Sequence, residues 1–397
     1  MSGQKKEPTG CGCSNIPISI ILIILGGGYW WFSQKGYLEI SKFLDNSKKI
    51  SIHISQPATS GYSTSSPTAS ATPLASLPST PSLAPNKKTL QKIIPEEKPP
   101  LFQTAWEKKV IRGIYLTRYQ ITNNADEQTI RKRVRYYHSQ GINTIIHGVW
   151  GNGCTMYNSD VMQQTFGYKS CPNQFQEQWL NWLIDEAHKQ GMQVHAYFEK
   201  GIKIDKNSPA FDFAISRKWI VPGVDKTYSG IDHYVLDVEI AEVANLFQNI
   251  LVEFVKKYPD IDAVQWDDYL GYYAELPGKV DRTENLTKFV QQMVTSMKKA
   301  NQSVSFDICH HNPYWAKKYF AADWEKWGVD RVFIQAYNDS NFAEELNYAQ
   351  KYAGVAITDR QLSRLKELAD NPKIKSILVF PFSGNPEKTA SSLKTSL

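Results

Sequence analysis

The chain has 397 residues, a formal charge of +6 and 42% hydrophobic residues, too long for one average domain and short for three. The charge excess is not in the globular part: residues 1–105 hold 10 basic and 5 acidic side chains, which leaves residues 106–397 nearly neutral. No Lys/Arg cluster with interleaved aromatics stands out there, so no nucleic-acid partner is expected.

Residues 8–34 carry no charge, and within them 16–32 read IPISIILIILGGGYWWF, 17 residues. That length lies at the lower edge of the ~17–25 that cross a bilayer. Tyr29, Trp30 and Trp31 stand at one end, where amphipathic rings favour the membrane interface, and Lys5 and Lys6 precede the span. The pattern predicts a cytoplasmic N-terminus (1–15), a transmembrane anchor (16–32) and export of the rest into the cell envelope or periplasm. A cleaved signal peptide is the rival reading, with Gly26-Gly27-Gly28 as a weak cleavage site; it too exports the main domain. Cys11 and Cys13, ahead of the span, hint at acylation.

Residues 33–105 form a linker and lead-in. Their centre, SPTASATPLASLPSTPSLAPN, has few large apolar side chains and many prolines. Such a segment cannot bury enough surface to fold, and it reads as a disordered tether.

From 106 to 397 short β-branched or aromatic runs alternate with segments of helical periodicity. The runs are 112–117, 142–150, 193–199, 262–269, 303–311, 331–337, 354–359 and 376–384. The clearest helices are 125–140, 176–190, 239–258 and 283–301. Eight such β units with helices between them predict an α/β fold, a (β/α)8 TIM barrel. An open doubly wound sheet is the alternative, but it wants a Gly-rich phosphate turn after its first strand, and YLTRYQITNN has none. Cys154 and Cys171 fall in one loop of an exported domain and are candidates for a disulfide, which leaves Cys309 unpaired.

In a barrel, alternate strand residues face the interior and the helices. On 194–199 Val194, Ala196 and Phe198 form the apolar set, so His195, Tyr197 and Glu199 are expected inside, with Glu199 at the mouth. On 331–337 Phe333, Gln335 and Tyr337 are the interior set. Asn143 and His147 are expected inside on the second strand, and Ser305 and Asp307 on the fifth. On DAVQWDDY the same test separates the paired acids: Asp267 shares the interior side with Gln265, whereas Asp268 continues the helix-facing side of Val264 and Trp266. Neighbouring strands lie ~4.8 Å apart, so carboxylates on adjacent or next-adjacent strand ends, such as Asp267 and Glu199, can meet the ~5–9.5 Å spacing that glycoside hydrolysis uses. Asp262 reads as a cap at the strand's start.

The segments RGIYLT, QGINTIIHGVW, LIDEAHKQGMQVHAYFE, YPDIDAVQWDDY and DWEKWGVDRVFIQAYN together resemble the glycosyl-hydrolase-like family 10 proteins, in order and spacing, over roughly 110–384. The resemblance implies a TIM barrel acting on glycans, often at the bacterial cell surface, with members linked to cleavage of cell-wall glycan strands. Asp267 and Asp268 match the paired acids of that family's strand-four motif, and Gln335 and Tyr337 its Q-x-Y on strand six. The sequence departs from the pattern at Ala263, where the family has Gly, in the short unit GVAITDRQLSRL, and in the end DICHHNPYW of the fifth strand.

These readings nominate Asp267 and Glu199 as the catalytic pair, with Asp268 as a third acid or a support. One carboxyl must stay protonated for the leaving oxygen while a second group attacks or activates water. His147, Trp150, His195, Tyr197, Tyr269, Asp307, Gln335 and Tyr337 are nominated for substrate contact, since sugar rings stack on aromatics and hydrogen-bond polar tips. Tyr272 and Tyr273 fall at the same rim. No H-x-H or H-E-x-x-H spacing supports a metal, and no cofactor is expected. The function expected is hydrolysis of O-glycosidic bonds in a cell-envelope or extracellular polysaccharide. The alternatives are a glycan-binding barrel without catalysis, a structural envelope protein, and a substrate-assisted hydrolase of N-acetyl sugars in which Tyr337 orients the acetamide.

Overall fold

The computed structural model describes residues 103–117, 124–172, 175–228, 230–273, 275–276 and 282–397. The expected anchor and most of the linker lie outside these residues. Among the described residues no helix is long and apolar enough to cross a membrane.

Eight strands carry the fold: β1 (Ile111–Leu116), β2 (Thr144–Gly151), β3 (Gln193–Phe198), β4 (Ala263–Asp267), β5 (Ser305–His310), β6 (Arg331–Gln335), β7 (Gly354–Thr358) and β8 (Ser376–Phe380). Each pairs in parallel with its neighbours in chain order, and β8 pairs with β1, which closes the barrel. The helices that follow are α1 (Glu127–Ser139), α2 (Trp179–Lys189), α3 (Ala241–Lys257), α4 (Arg282–Ala300), α5 (Pro313–Phe320), α6 (Phe342–Tyr352), α7 (Leu365–Asp370) and α8 (Pro386–Thr395). The (β/α)8 expectation therefore holds, and the four expected helices are displaced by three residues at most.

Local chemistry explains the element ends. Asp126 caps α1 by accepting from Thr129 N–H, and Ile130, Val134 and Tyr137 bury one stripe of it. Asn312 and Asn385 cap α5 and α8, each followed by a proline whose missing N–H costs nothing there. Two cores result. A large outer one lies between strands and helices, where Trp266 stacks on Phe198 with ring centres 4.6 Å apart. A small inner one holds Ile111, Tyr115, Ile146, Tyr197, Cys309, Phe333, Ala356 and Leu378.

The inner core corrects the reading of β2. Ile146 lies inside, opposite His195 in register, so His147 faces the helices, fully buried with its ring 4.7 Å from that of Trp179. Polarity misassigned it because the middle of a barrel interior is as apolar as its outside. A register shift between Gly148 and Trp150 then puts Trp150 in the outer core, packed on Phe247, with its indole N–H donating to Gly201 O at 2.9 Å. Neither residue lines the mouth.

Cys154 and Cys171 are joined by a disulfide across 17 positions of the loop after β2. Closing a loop near 15 residues stabilises a fold by about 3 kcal/mol, chiefly by constraining the unfolded chain. Replacing both cysteines by alanine is predicted to lower the unfolding free energy by about that amount, measured by denaturant titration; an unchanged midpoint would mean that packing alone holds the loop.

Candidate functional site

The C-terminal ends of the strands surround a cavity of ≈250 Å³, whose wall includes Asp267, Asp268, Tyr115, Tyr197, Tyr228, Tyr269, Cys309, Gln335 and Tyr337. Larger hollows of ≈440 and ≈730 Å³ include the N-terminal ends of the strands, at Arg331, Gly354 and Ser376 and at Arg112. Barrel chemistry occurs at the opposite face, so the smaller cavity is the candidate site.

Asp267 ends β4 and is 6% exposed. Its carboxylate accepts from the Tyr197 hydroxyl and, at 2.9 Å, from Tyr269 N–H. Burial pushes its pKa up to about 7; those two hydrogen bonds and Lys203 oppose the rise, and the charge of Glu199 adds to it.

Asp268 is 4% exposed and also lines the cavity, contrary to the helix-facing side expected for it. The pleat governs residues only as far as the strand runs. β4 ends at Asp267, whose carbonyl accepts from Leu270 N–H at 2.9 Å, so the chain is already turning at Asp268. Gln335 donates to its Oδ1 at 3.2 Å and His311 lies 3.4 Å from its Oδ2. Burial opposes its ionisation, but His311, His310 and Lys203 outweigh that and hold its pKa below the usual value. His310 adds nothing near neutrality, because burial lowers its own pKa to about 3. Lys203, and His311 when protonated, are the effective counter-charges. The two neighbouring acids are thus driven to opposite protonation states, the arrangement that separates an acid from its partner.

Glu199 lies one residue past β3, partly buried, and its charge is felt by Asp267, Tyr197 and Tyr269. It is close to the site without being on the cavity wall. Gly201 then passes so near the chain after β4 that a Cβ there would sit 2.5 Å from the carbonyl carbon of Tyr269, and its φ of +46° also favours glycine.

His195 and Asp307 do point inward, but a layer below. Register sets Asp307 opposite Gln265 and Arg331, and Cys309 opposite Asp267. Arg331 Nε binds both Asp307 oxygens at 2.9 Å, Ser305 donates to Oδ1 at 2.7 Å, and His195 Nδ1 is 3.6 Å from Oδ2. Burial and the Arg331 charge keep His195 neutral. These residues form a buried polar layer beneath the site and do not line it. Tyr272 is buried with its hydroxyl accepting from Val238 N–H at 3.0 Å, and the Tyr273 hydroxyl donates to Glu275 at 3.0 Å; neither lines the cavity.

Sequence reasoning missed several residues. Tyr115 meets Tyr197 edge to face at 5.3 Å. Tyr228 stacks on Tyr269 at 5.2 Å from a loop with no sequence signal. Lys203 is fully buried, 3.0 Å from Asp225 and within 5.4–5.6 Å of the ring centres of Tyr228, Tyr269 and Phe320. His311 stood in the quoted HH pair, but nothing in one dimension tied it to Asp268. Burial pushes the Cys309 thiol up to about 12, which disfavours its reactive thiolate form. Among the described residues no group of three or more His, Cys, Asp or Glu is placed to hold a metal.

The fold is a (β/α)8 barrel whose mouth carries two neighbouring acids. Residues 110–281, which contain β1 to β4, match the family model described as Glycosyl hydrolase-like 10, the family that the sequence motifs resemble. "Glycosyl hydrolase DigH" of Escherichia coli (strain K12) is 31% identical over 180 residues, 41% of this chain and 38% of that protein. The chain thus matches less than half the length of that relative. Among solved structures, an alpha-amylase from Lactobacillus plantarum aligns at TM-score 0.45 and 10% identity, covering 70% of this chain and 72% of that one. The alpha-galactosidase from Lactobacillus brevis aligns at 0.43 and 13%, covering 72% and 40%. Neither likeness is close enough to carry chemistry across.

Because the folded-state pKa of Asp267 is near 7 and an unfolded aspartate titrates near ~3.9, folding favours the protonated form. Its contribution is complete below ~4 and is lost as pH rises through about 7. Asp267→Asn is therefore predicted to be more stable than wild type at pH 8, by roughly 3–4 kcal/mol, and to lose the advantage by pH 4. Denaturant unfolding at both pH values measures this, and a difference that does not vary with pH would contradict it.

Proposed function

We propose that this barrel hydrolyses O-glycosidic bonds in a cell-envelope or extracellular polysaccharide, with peptidoglycan glycan strands as the first substrate to test. The observation that carries the reading is a pair of consecutive buried carboxyls on the wall of one aromatic-lined cavity, with partners that push their pKa values in opposite directions. Asp267 gives its proton to the leaving oxygen, and the Tyr197 hydroxyl, bonded to the same carboxyl, fixes its direction. Ionised Asp268, oriented by Gln335 and His311, faces the positive charge that grows on the sugar, and water then bonds through its oxygen to the anomeric carbon and returns a proton to the Asp267 carboxylate. Glu199 helps to keep the proton on Asp267.

A second version is favoured by the fact that the two acids are consecutive and share their cavity with Tyr337. In it, an N-acetyl group of the substrate attacks the anomeric carbon, Asp268 and Tyr337 hold that amide, and Asp267 remains the acid. Removing the acetyl groups from the glycan abolishes cleavage in this version and spares it in the first.

We further place the barrel outside the cytoplasmic membrane, tethered through 16–32 and the linker 33–105. The uncharged apolar run, the basic residues before it and a disulfide suited to an oxidising compartment support this.

The test is incubation of the purified protein with denuded and intact peptidoglycan and with common glucans, with products identified by mass. Asp267→Asn and Asp268→Asn are expected to lower kcat by about 10²–10⁴ with glycan binding retained. The wild-type rate should fall as pH rises through about 7, as Asp267 loses its proton. Binding without release from any glycan would favour the non-catalytic alternative.

A further inference from the structure

Arg360 is a charge on the cavity wall that the hydrolytic chemistry leaves unused. It sits in the turn after β7, and that turn is firmly built. Thr358 accepts from Arg360 N–H at 3.2 Å, and Gln361 Oε1 accepts from the Thr358 hydroxyl at 2.6 Å and from its N–H at 3.1 Å. Gln361 Nε2 in turn donates to Tyr337 O at 3.1 Å. Asp359 ties the turn to the loop after β8 by accepting from Ser383 N–H at 3.1 Å. That loop carries Phe382, 53% exposed, and the Arg360 guanidinium carbon lies 3.6 Å from the centre of its ring.

Stacking fixes the plane of the guanidinium and leaves its in-plane donors at the edge, free to bind a planar anion. Among the described residues no ion pair involves Arg360. Asp268 is held by Gln335 and His311, and Asp359 by Ser383 and Thr389. A cation preorganised at the wall of a substrate cavity and not neutralised there is suited to a charge on the ligand.

We propose that Arg360, seated on Phe382, is a specificity-determining residue that binds a carboxylate carried by the sugar in the cavity, so that the substrate is an acidic glycan. The inference rests on the glycan reading above but not on catalysis. The cavity of ≈250 Å³ is below the ~300–1,000 Å³ of pockets for drug-sized ligands, which suits one ring held tightly between the acids and this cation.

The test compares peptide-free peptidoglycan strands with the same strands after their carboxylates are reduced to alcohols. Affinity is measured by calorimetry on full-length Asp267→Asn protein, which does not consume the ligand, and cleavage on the otherwise wild-type chain. The acidic strands should bind about tenfold tighter or more, the value of a charge-assisted pair. Arg360→Met should erase that preference and leave the reduced strands unchanged, and Arg360→Lys should keep part of it. Phe382→Leu should lose part of it, since the guanidinium loses its platform. Unchanged affinity for the reduced strands certifies that each variant is folded. Equal affinity for both glycans, a preference that survives Arg360→Met, or no binding of either would overturn the proposal. A preference without cleavage sinks the hydrolase reading alone, whereas equal cleavage and equal binding of both glycans sinks only this inference.

Discussion

The Tyr197 hydroxyl meets the Asp267 carboxyl because β3 and β4 pair in parallel with Tyr197 opposite Gln265, two residues before β4 ends. That register puts the last carboxylate of β4 under an aromatic wall and away from water. Burial then raises its pKa, and neither the phenol nor the backbone N–H of Tyr269 restores full ionisation. Were the two strands to slip by one residue, Asp267 would turn to the helix layer and the cavity would lose its acid. Closure of the barrel prevents such a slip, since each strand is fixed by two neighbours.

The surrounding charges are sorted by depth. Below the site, Asp307, Arg331 and His195 form a compensated layer in which the acid accepts from arginine and serine. Beside it, Lys203 is buried against Asp225 and three aromatic rings, near enough to act on both site acids. A buried ion pair of this kind contributes little net stability, because desolvation offsets most of the attraction. Its consequence here is electrostatic: it favours ionisation of both acids, and Asp268, with His311 beside it, responds while Asp267, which feels the charge of Glu199, does not.

The barrel was legible because eight apolar runs and their amphipathic helices repeat the same physical demand, one buried face per element. Asp267 and the Q-x-Y of β6 were legible because motif and pleat agreed on them. The errors have definite causes. His147 was misplaced because alternation cannot tell inside from outside when both sides are apolar. Trp150 followed a register shift that leaves no mark in sequence. Asp268 was assigned by a pleat that stops one residue earlier. His195 and Asp307 were given the right face but the wrong depth, since alternation carries no information on layer. Lys203, Tyr228 and His311 arrive on segments between the barrel strands and helices, whose return to the mouth only the folded chain reveals.

The central claim is that Asp267 and Asp268, adjacent in sequence, titrate in different pH ranges, with Asp267 keeping its proton up to about pH 7, where Asp268 is already ionised. Titrating the side-chain carboxyl ¹³C signals of aspartate-labelled wild type, with Asp267→Asn and Asp268→Asn used for assignment, tests it most directly. The account predicts that the Asp267 signal moves with a midpoint near 7 while Asp268 is already ionised at pH 5. An Asp267 signal that titrates near ~4, like an unfolded aspartate, would contradict it.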